Sequence, residues 1–317
     1  MLNKKDSTMK RFFLLIAAVA MTAGVVSAQD INQATESYNN GAMELQNGNP
    51  AAALTHFQTA LTMGEGLGEE ATDLIANCKG IIPQVMLSIA KGYIKDSNFA
   101  EALTQLDAAI AEANKYENAE VAAEATEFIP QVYMQQGNTA LKAKDMATAL
   151  AAYGKVVELD PTNGNALLRL GQAYSATGKT DEAVAAFENA AANGQEKAAN
   201  KQLSTIFLKK AQAAMKGGKS QEAIDLCVKS NEYLENANAY KIAASCAQKL
   251  GKNDDVIAFY NKYLELSPKA KDAGGVAFTI AALYQQAGNK EKAKEYYQKA
   301  STDPQFGAAA QEQLKTL

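Results

Sequence analysis

His56 is the only histidine in this sequence of 317 residues. A lone imidazole cannot build a histidine-based metal centre, and it offers no second partner for the usual nucleophile–base pair. It stands beside Phe57 in a helical stretch, where packing or solvent contact is its expected fate. Cys78, Cys227 and Cys246 are too few for a disulfide scaffold, and the odd number leaves at least one thiol free. Cys227 and Cys246 fall on neighbouring antiparallel helices in the pattern below. A bond between them and a pair of small buried apolar residues both fit that placement. Gly178–Lys179–Thr180 and Gly218–Lys219–Ser220 imitate the end of a phosphate-binding loop. That loop needs a glycine five residues earlier, and both positions, Ala173 and Ala213, are alanine. Gly64–Glu65–Gly66–Leu67–Gly68 lacks dinucleotide-binding spacing, follows no strand pattern and reads as a linker between helices. No residue is therefore assigned to catalysis, to a cofactor or to a metal.

What the chain does supply is material for helices. Hydrophobic residues make up 47% and charged residues 21%, with 21 Gly and only 6 Pro, which describes a folded protein. Alanine is abundant and Trp absent, as suits closely packed helices, and alternating strand patterns are missing. The formal net charge of −4 argues against nucleic acid as the main partner.

The amino terminus reads as a leader. Lys4, Lys5, Lys10 and Arg11 are basic, Phe12 to Met21 is apolar, and Val26–Ser27–Ala28 places small residues where signal peptidase requires them. Cleavage after Ala28 is expected, with Met9 an equally good start. The apolar run is short for a membrane span of ~20 residues, and no later stretch is apolar enough to be one. Export to the periplasm or beyond follows.

A module recurs through the rest. Seven turn residues, Gly48, Ser97, Lys144, Gly178, Gly218, Gly251 and Gly288, are each followed five residues on by a small one: Ala53, Ala102, Ala149, Ala183, Ala223, Val256 and Ala293. Four further stand Phe57, Leu106, Tyr153, Phe187, Cys227, Tyr260 and Tyr297. Three beyond those come Ala60, Ala109, Val156, Ala190, Ser230, Tyr263 and Ala300. Glycine turns the chain between two helices, alanine lets their backbones approach, and the aromatic fills the wedge where the next pair stacks. This order resembles the tetratricopeptide repeat family, best around Gly178 and Gly288 and least around Gly218. Pro161 and Pro268 stand where that family often ends its second helix.

The resemblance implies an all-α, right-handed superhelical solenoid. About seven helix-turn-helix repeats would fill 29–304, behind a leader at 1–28, and a capping helix would close it at 305–317. No Pro- or Gly-rich linker divides the array, so one continuous superhelix is expected. The two longest spacings, Gly48 to Ser97 and Ser97 to Lys144, each carry extra residues, about Glu69–Gly80 and Glu117–Phe128. Both extras precede an Ile-Pro-Gln-Val tetrapeptide. Pro83 and Pro130 there fit either a kink within a longer first helix or the first turn of a separate one.

In this family the first helices line a concave face. Counting back from each turn by 13, 10, 6, 3 and 2 gives thirty-five positions, none of them Asp or Glu in a chain with 35 acidic residues. The candidate groove is Lys91, Lys95, Gln131, Met134, Asn138, Lys142, Leu168, Gln172, Gln212, Lys216, Lys241 and Lys249. Amides there can bond a backbone, lysines can meet carboxylates, and Leu and Met offer apolar pockets. A plain solvated face is the alternative. The carboxylate clamp of some relatives is not met: Met134, Asn138 and Arg169, like Leu87 and Lys91, do not match its pattern.

The sequence thus points to an exported, non-catalytic scaffold that binds another protein or an acidic peptide segment. It implies no cofactor, no nucleic acid and no membrane span after cleavage. A self-associating spacer is the runner-up, ahead of a small-molecule or glycan binder.

Overall fold

The computed structural model describes residues 28–317, and within them every regular element is a helix. The predicted leader lies outside the described residues apart from Ala28, where the first helix begins. Fifteen α-helices follow in order. They are α1 (Ala28–Gln46), α2 (Pro50–Leu67), α3 (Thr72–Lys95), α4 (Phe99–Lys115), α5 (Ala119–Lys142), α6 (Met146–Leu159), α7 (Gly164–Ala176) and α8 (Thr180–Ala190). Then come α9 (Glu196–Lys216), α10 (Ser220–Tyr233), α11 (Ala237–Lys249), α12 (Asn253–Leu266), α13 (Ala273–Gln286), α14 (Lys290–Ala300) and α15 (Gly307–Thr316). The first fourteen pair into the seven expected modules, and α15 is the capping helix. None of the described helices is long and apolar enough to cross a membrane.

All seven turn residues have positive φ, from 60° at Ser97 to 78° at Gly48. In each, the N–H of the next residue reaches the carbonyl five residues before it, as in Asn49 to Glu44 at 2.9 Å and Lys179 to Tyr174 at 3.0 Å. This bond closes the orphan carbonyls at a helix end and requires a left-handed residue in the middle. Five modules use glycine there. Ser97 and Lys144 hold the same conformation with a Cβ, which is strained.

The helix pairs close on the predicted small and bulky residues. Ala53, Ala102, Ala149, Ala183, Ala223, Val256 and Ala293 are all 0% exposed. The bulky series is buried from Phe57 through Tyr297. Three rings rest on a glycine of the facing first helix. An added Cβ would stand 3.0 Å from Phe57 at Gly41, 2.6 Å from Tyr153 at Gly137 and 2.7 Å from Phe187 at Gly171. The Gly218 module, which departs most from the pattern, closes differently. Ser204 of α9 and Ser230 of α10 share a buried hydrogen bond of 3.0 Å, and the Ser230 hydroxyl also donates to the Ser204 carbonyl at 2.9 Å.

The described helices group into two compact units, one ending at Leu159 and the other beginning at Asp160. No composition shift announces this division, which falls beside Pro161, two residues beyond the end of α6. In unit 1 the prolines settle one open question. Pro83 and Pro130 lie inside continuous helices of 24 residues, so the extra residues lengthen the first helices α3 and α5 at their amino-terminal ends. In unit 2, Asn193 and Gly194 leave the helical region and separate α8 from α9. There α15 buries Gly307 and Ala310, and Phe306 just before it packs 5.6 Å from Phe278 of α13. Cys78, Cys227 and Cys246 are free and buried, and burial pushes the Cys78 and Cys227 thiols up to about 12. They behave as small apolar residues.

Replacing Ala183 with Leu inserts bulk into a closed contact and is expected to cost about 1–3 kcal/mol, read as a fall in melting temperature. An unchanged midpoint would contradict the module alignment. Lys144→Gly should do the opposite, stabilising by up to about 1 kcal/mol in denaturant titration, because glycine carries no left-handed penalty. A lower midpoint for Lys144→Gly would count against a strained turn.

Candidate functional site

In unit 1 the groove positions lie on α3 and α5. Lys95 and Lys142 are exposed and are the last residues of their helices. A cation there complements the helix dipole, so the placement has a local cause before any partner is invoked. Lys91 is engaged: its Nζ lies 2.7 Å from Glu124 Oε1 and 4.9 Å above the Phe128 ring. The Gln131 side chain donates to the Glu127 carbonyl at 3.1 Å, as Gln84 does to Gly80 at 3.0 Å. Each of these glutamines follows a helix-interior proline. Asn138 Oδ1 accepts the Tyr153 hydroxyl at 2.9 Å, and Met134 is half-buried.

Glu124 corrects the picture of an acid-free face. The five positions counted per helix stop at Gln131. The lengthened half of α5 continues the same exposed stripe through Glu127, Glu124 and Glu120, three or four residues apart. Unit 1 therefore presents carboxylates on one of its two 24-residue first helices.

In unit 2 the positions lie on α7, α9 and α11. Lys216 and Lys249 end their helices and are exposed. Leu168 and Gln212 are half-buried, and Gln172 Oε1 accepts from Arg169 at 3.1 Å. Lys241 is engaged, 2.5 Å from Asp272 Oδ2, and the Tyr263 hydroxyl donates to the other oxygen at 2.5 Å. Partial desolvation alone would raise the Asp272 pKa. The Lys241 and Tyr263 donors outweigh it and hold the carboxyl below its ordinary value. Desolvation and the same carboxylate push the Tyr263 hydroxyl up to about 12.

The face also has members that counting by module missed. Lys197, Lys201 and Lys209 stand with Lys216 along the exposed side of α9, and none of the four has an ion pair among the described residues. Lys210 beside them is spent on Asp181 at 3.5 Å. Arg169 of α7 is exposed at the same distance before its turn as Lys209. Spacing of four residues between Lys197 and Lys201 was the available signal, but both precede the counted window. Several second-helix lysines differ from these. Lys115, Lys155, Lys229, Lys262 and Lys299 each pair with a glutamate three or four residues away on their own helix.

The false motifs are accounted for. Gly178 and Gly218 are left-handed turn residues, each between two helices. Gly64 and Gly66 lie within α2, not in a linker, and Gly68 ends that helix. His56 is half-buried and its carbonyl accepts the Ser37 hydroxyl at 2.9 Å. Among the described residues no group of three His, Cys, Asp or Glu side chains is placed to hold a metal ion.

Two family profiles, both described as tetratricopeptide repeat, match residues 140–205 and 275–302. Within those two stretches the chain matches the tetratricopeptide repeat. The matches cover the modules around Gly178 and Gly288, where the pattern is plainest. Solved structures with partial likeness include MamA, at 22% identity over 58% of this chain and 96% of that one, with a TM-score of 0.33. A second form of MamA is 26% identical over 55% of this chain and 99% of that one, with a TM-score of 0.32. YrrB, described as a tetratricopeptide-repeat protein with an unusual peptide-binding site, is 22% identical over 62% of this chain and 96% of that one, with a TM-score of 0.32. Scores this low transfer no residue and no activity to the repeats of this chain.

Lys241→Glu should lower stability by about 1 kcal/mol, since it sets a carboxylate against Asp272. Lys216→Glu should leave the melting temperature nearly unchanged. The Asp272 contribution is present above the ordinary carboxyl pKa and is lost as pH falls through the depressed folded value. A thermal scan in acid should therefore bring wild type towards Lys241→Glu. A constant gap between them down to the most acidic pH would refute this account.

Proposed function

We propose that this chain is an exported, non-catalytic protein-interaction scaffold of the cell envelope, and that its unit 2 face takes an acidic protein segment. Tetratricopeptide repeats are protein-interaction modules, which sets the class of job. The observation that carries the specific reading is the α9 stripe. Lys197, Lys201, Lys209 and Lys216 stand exposed along one helix without carboxylate partners. Elsewhere in the same unit Lys229, Lys262 and Lys299 on second helices pair locally with glutamates. Ammonium groups left unpaired and close together raise each other's energy, and an acidic segment relieves that cost. Half-buried Leu168, Leu208 and Met215 supply apolar contact on the same first helices.

Export is supported by the basic and apolar leader. Cleavage after Ala28 would remove one residue from α1 and leave the rest of the array whole. Protein recovered from its native host should therefore begin near Gln29 on amino-terminal sequencing. Recovery of mature protein that still carries Met9 to Ala28 would refute cleavage.

Binding is tested with three labelled peptides of equal length, one acidic, one neutral and one basic. The acidic peptide should bind best and lose affinity as salt rises, because exposed charges are screened over about 8–10 Å near physiological ionic strength. Changing Lys197, Lys201, Lys209 and Lys216 together to Glu should weaken it by about tenfold or more with helicity intact. Reversing Lys155 and Lys229 on second helices should matter far less. Equal affinity of wild type and the α9 variant at low salt would sink the reading and leave a solvated face.

A further inference from the structure

We infer that the acidic segment taken by α9 is supplied by a second copy of this chain, through the exposed face of α5 in unit 1. This rests on α9 being an acid-binding face and adds the identity of what it binds. Internal ion pairs leave opposite remainders on the two helices. On α5, Glu124 is consumed by Lys91, while Glu120 and Glu127, with Glu117 in the turn before the helix, have no cation partner among the described residues. On α9, Lys210 is consumed by Asp181, while Lys197, Lys201 and Lys209 have no carboxylate partner there.

The spacings are commensurate. Glu120 and Glu127 stand seven residues apart on one side of α5, ~10 Å along the axis, and Lys201 and Lys209 stand eight apart on α9, ~12 Å. Two helices lying along one another can bring both carboxylates within side-chain reach of both ammonium groups. A chain of net charge −4 repels its own copies over most approaches. This approach is attractive, so it selects both partner and orientation.

The test uses the mature chain beginning at Gln29 in two variants. One carries Lys197→Glu, Lys201→Glu and Lys209→Glu, and the other Glu117→Lys, Glu120→Lys and Glu127→Lys. Sedimentation equilibrium at low salt should show wild type self-associating as concentration rises, and salt should dissociate it. Each variant alone should associate about tenfold or more weakly, because like charges then face each other. Mixing the two variants should restore association, since each offers the other an oppositely charged face at both positions. Restoration also establishes that both variants are folded. Wild type that stays monomeric at every concentration at low salt overturns the inference, and so does a mixture of variants that stays monomeric. A monomeric wild type that still binds the acidic peptide through α9 overturns only the self-pairing. One that binds no acidic peptide overturns the α9 reading as well.

Discussion

The structure depends on one contact, the seating of a second-helix ring on the backbone of the first helix it faces. Phe57 lies on Gly41, Tyr153 on Gly137 and Phe187 on Gly171, with no room for a methyl group between the last two pairs. Apolar burial of a ring of this size stabilises by ~2–3 kcal/mol, and its flat shape fixes the rotation of both helices. Once those rotations are set, the side of each first helix turned away from its partner is also set. α9 faces Cys227 rather than a ring, but on α5 the carboxylates of Glu120, Glu124 and Glu127 are exposed as a result of this packing. They do not create it.

Much of this was legible in the residues. The turn signal was recovered even where glycine was missing, because Ser97 and Lys144 stood at the right distance from Ala102 and Ala149. Local hydrogen bonding then held them left-handed at a conformational cost. The rings and alanines could be read because their roles depend on size, which residue type reveals directly. The prolines could not. Pro83 and Pro130 suit a helix start as well as a helix interior, and only the neighbouring helices α2 and α4, packed along α3 and α5, decide for the interior. Nor could the pairing of Lys91 with Glu124 be foreseen. The two lie 33 residues apart, on first helices whose relative offset depends on the extra residues.

Charge along the first helices has two separable causes. Lys95, Lys142, Lys216 and Lys249 each end a helix, where the exposed carbonyl groups favour a cation whether or not anything binds. Lys197, Lys201 and Lys209 lie in the first and middle turns of α9, and the dipole gives no reason for them there. At the start of a helix it opposes them. The sequence count merged both kinds into one weakly basic groove. The structure separates them by their place along each helix.

Ser204 and Ser230 close the Gly218 module with buried hydroxyls where other modules use small apolar residues. The Ser230 hydroxyl donates to the Ser204 carbonyl, and the Ser204 hydroxyl lies within reach of both the Ser230 oxygen and the Leu234 carbonyl, so two protons tie α10 to α9. The junction of α9 and α10 is thus latched by direction as well as by shape. It holds the helix that carries the lysines at one height against its partner.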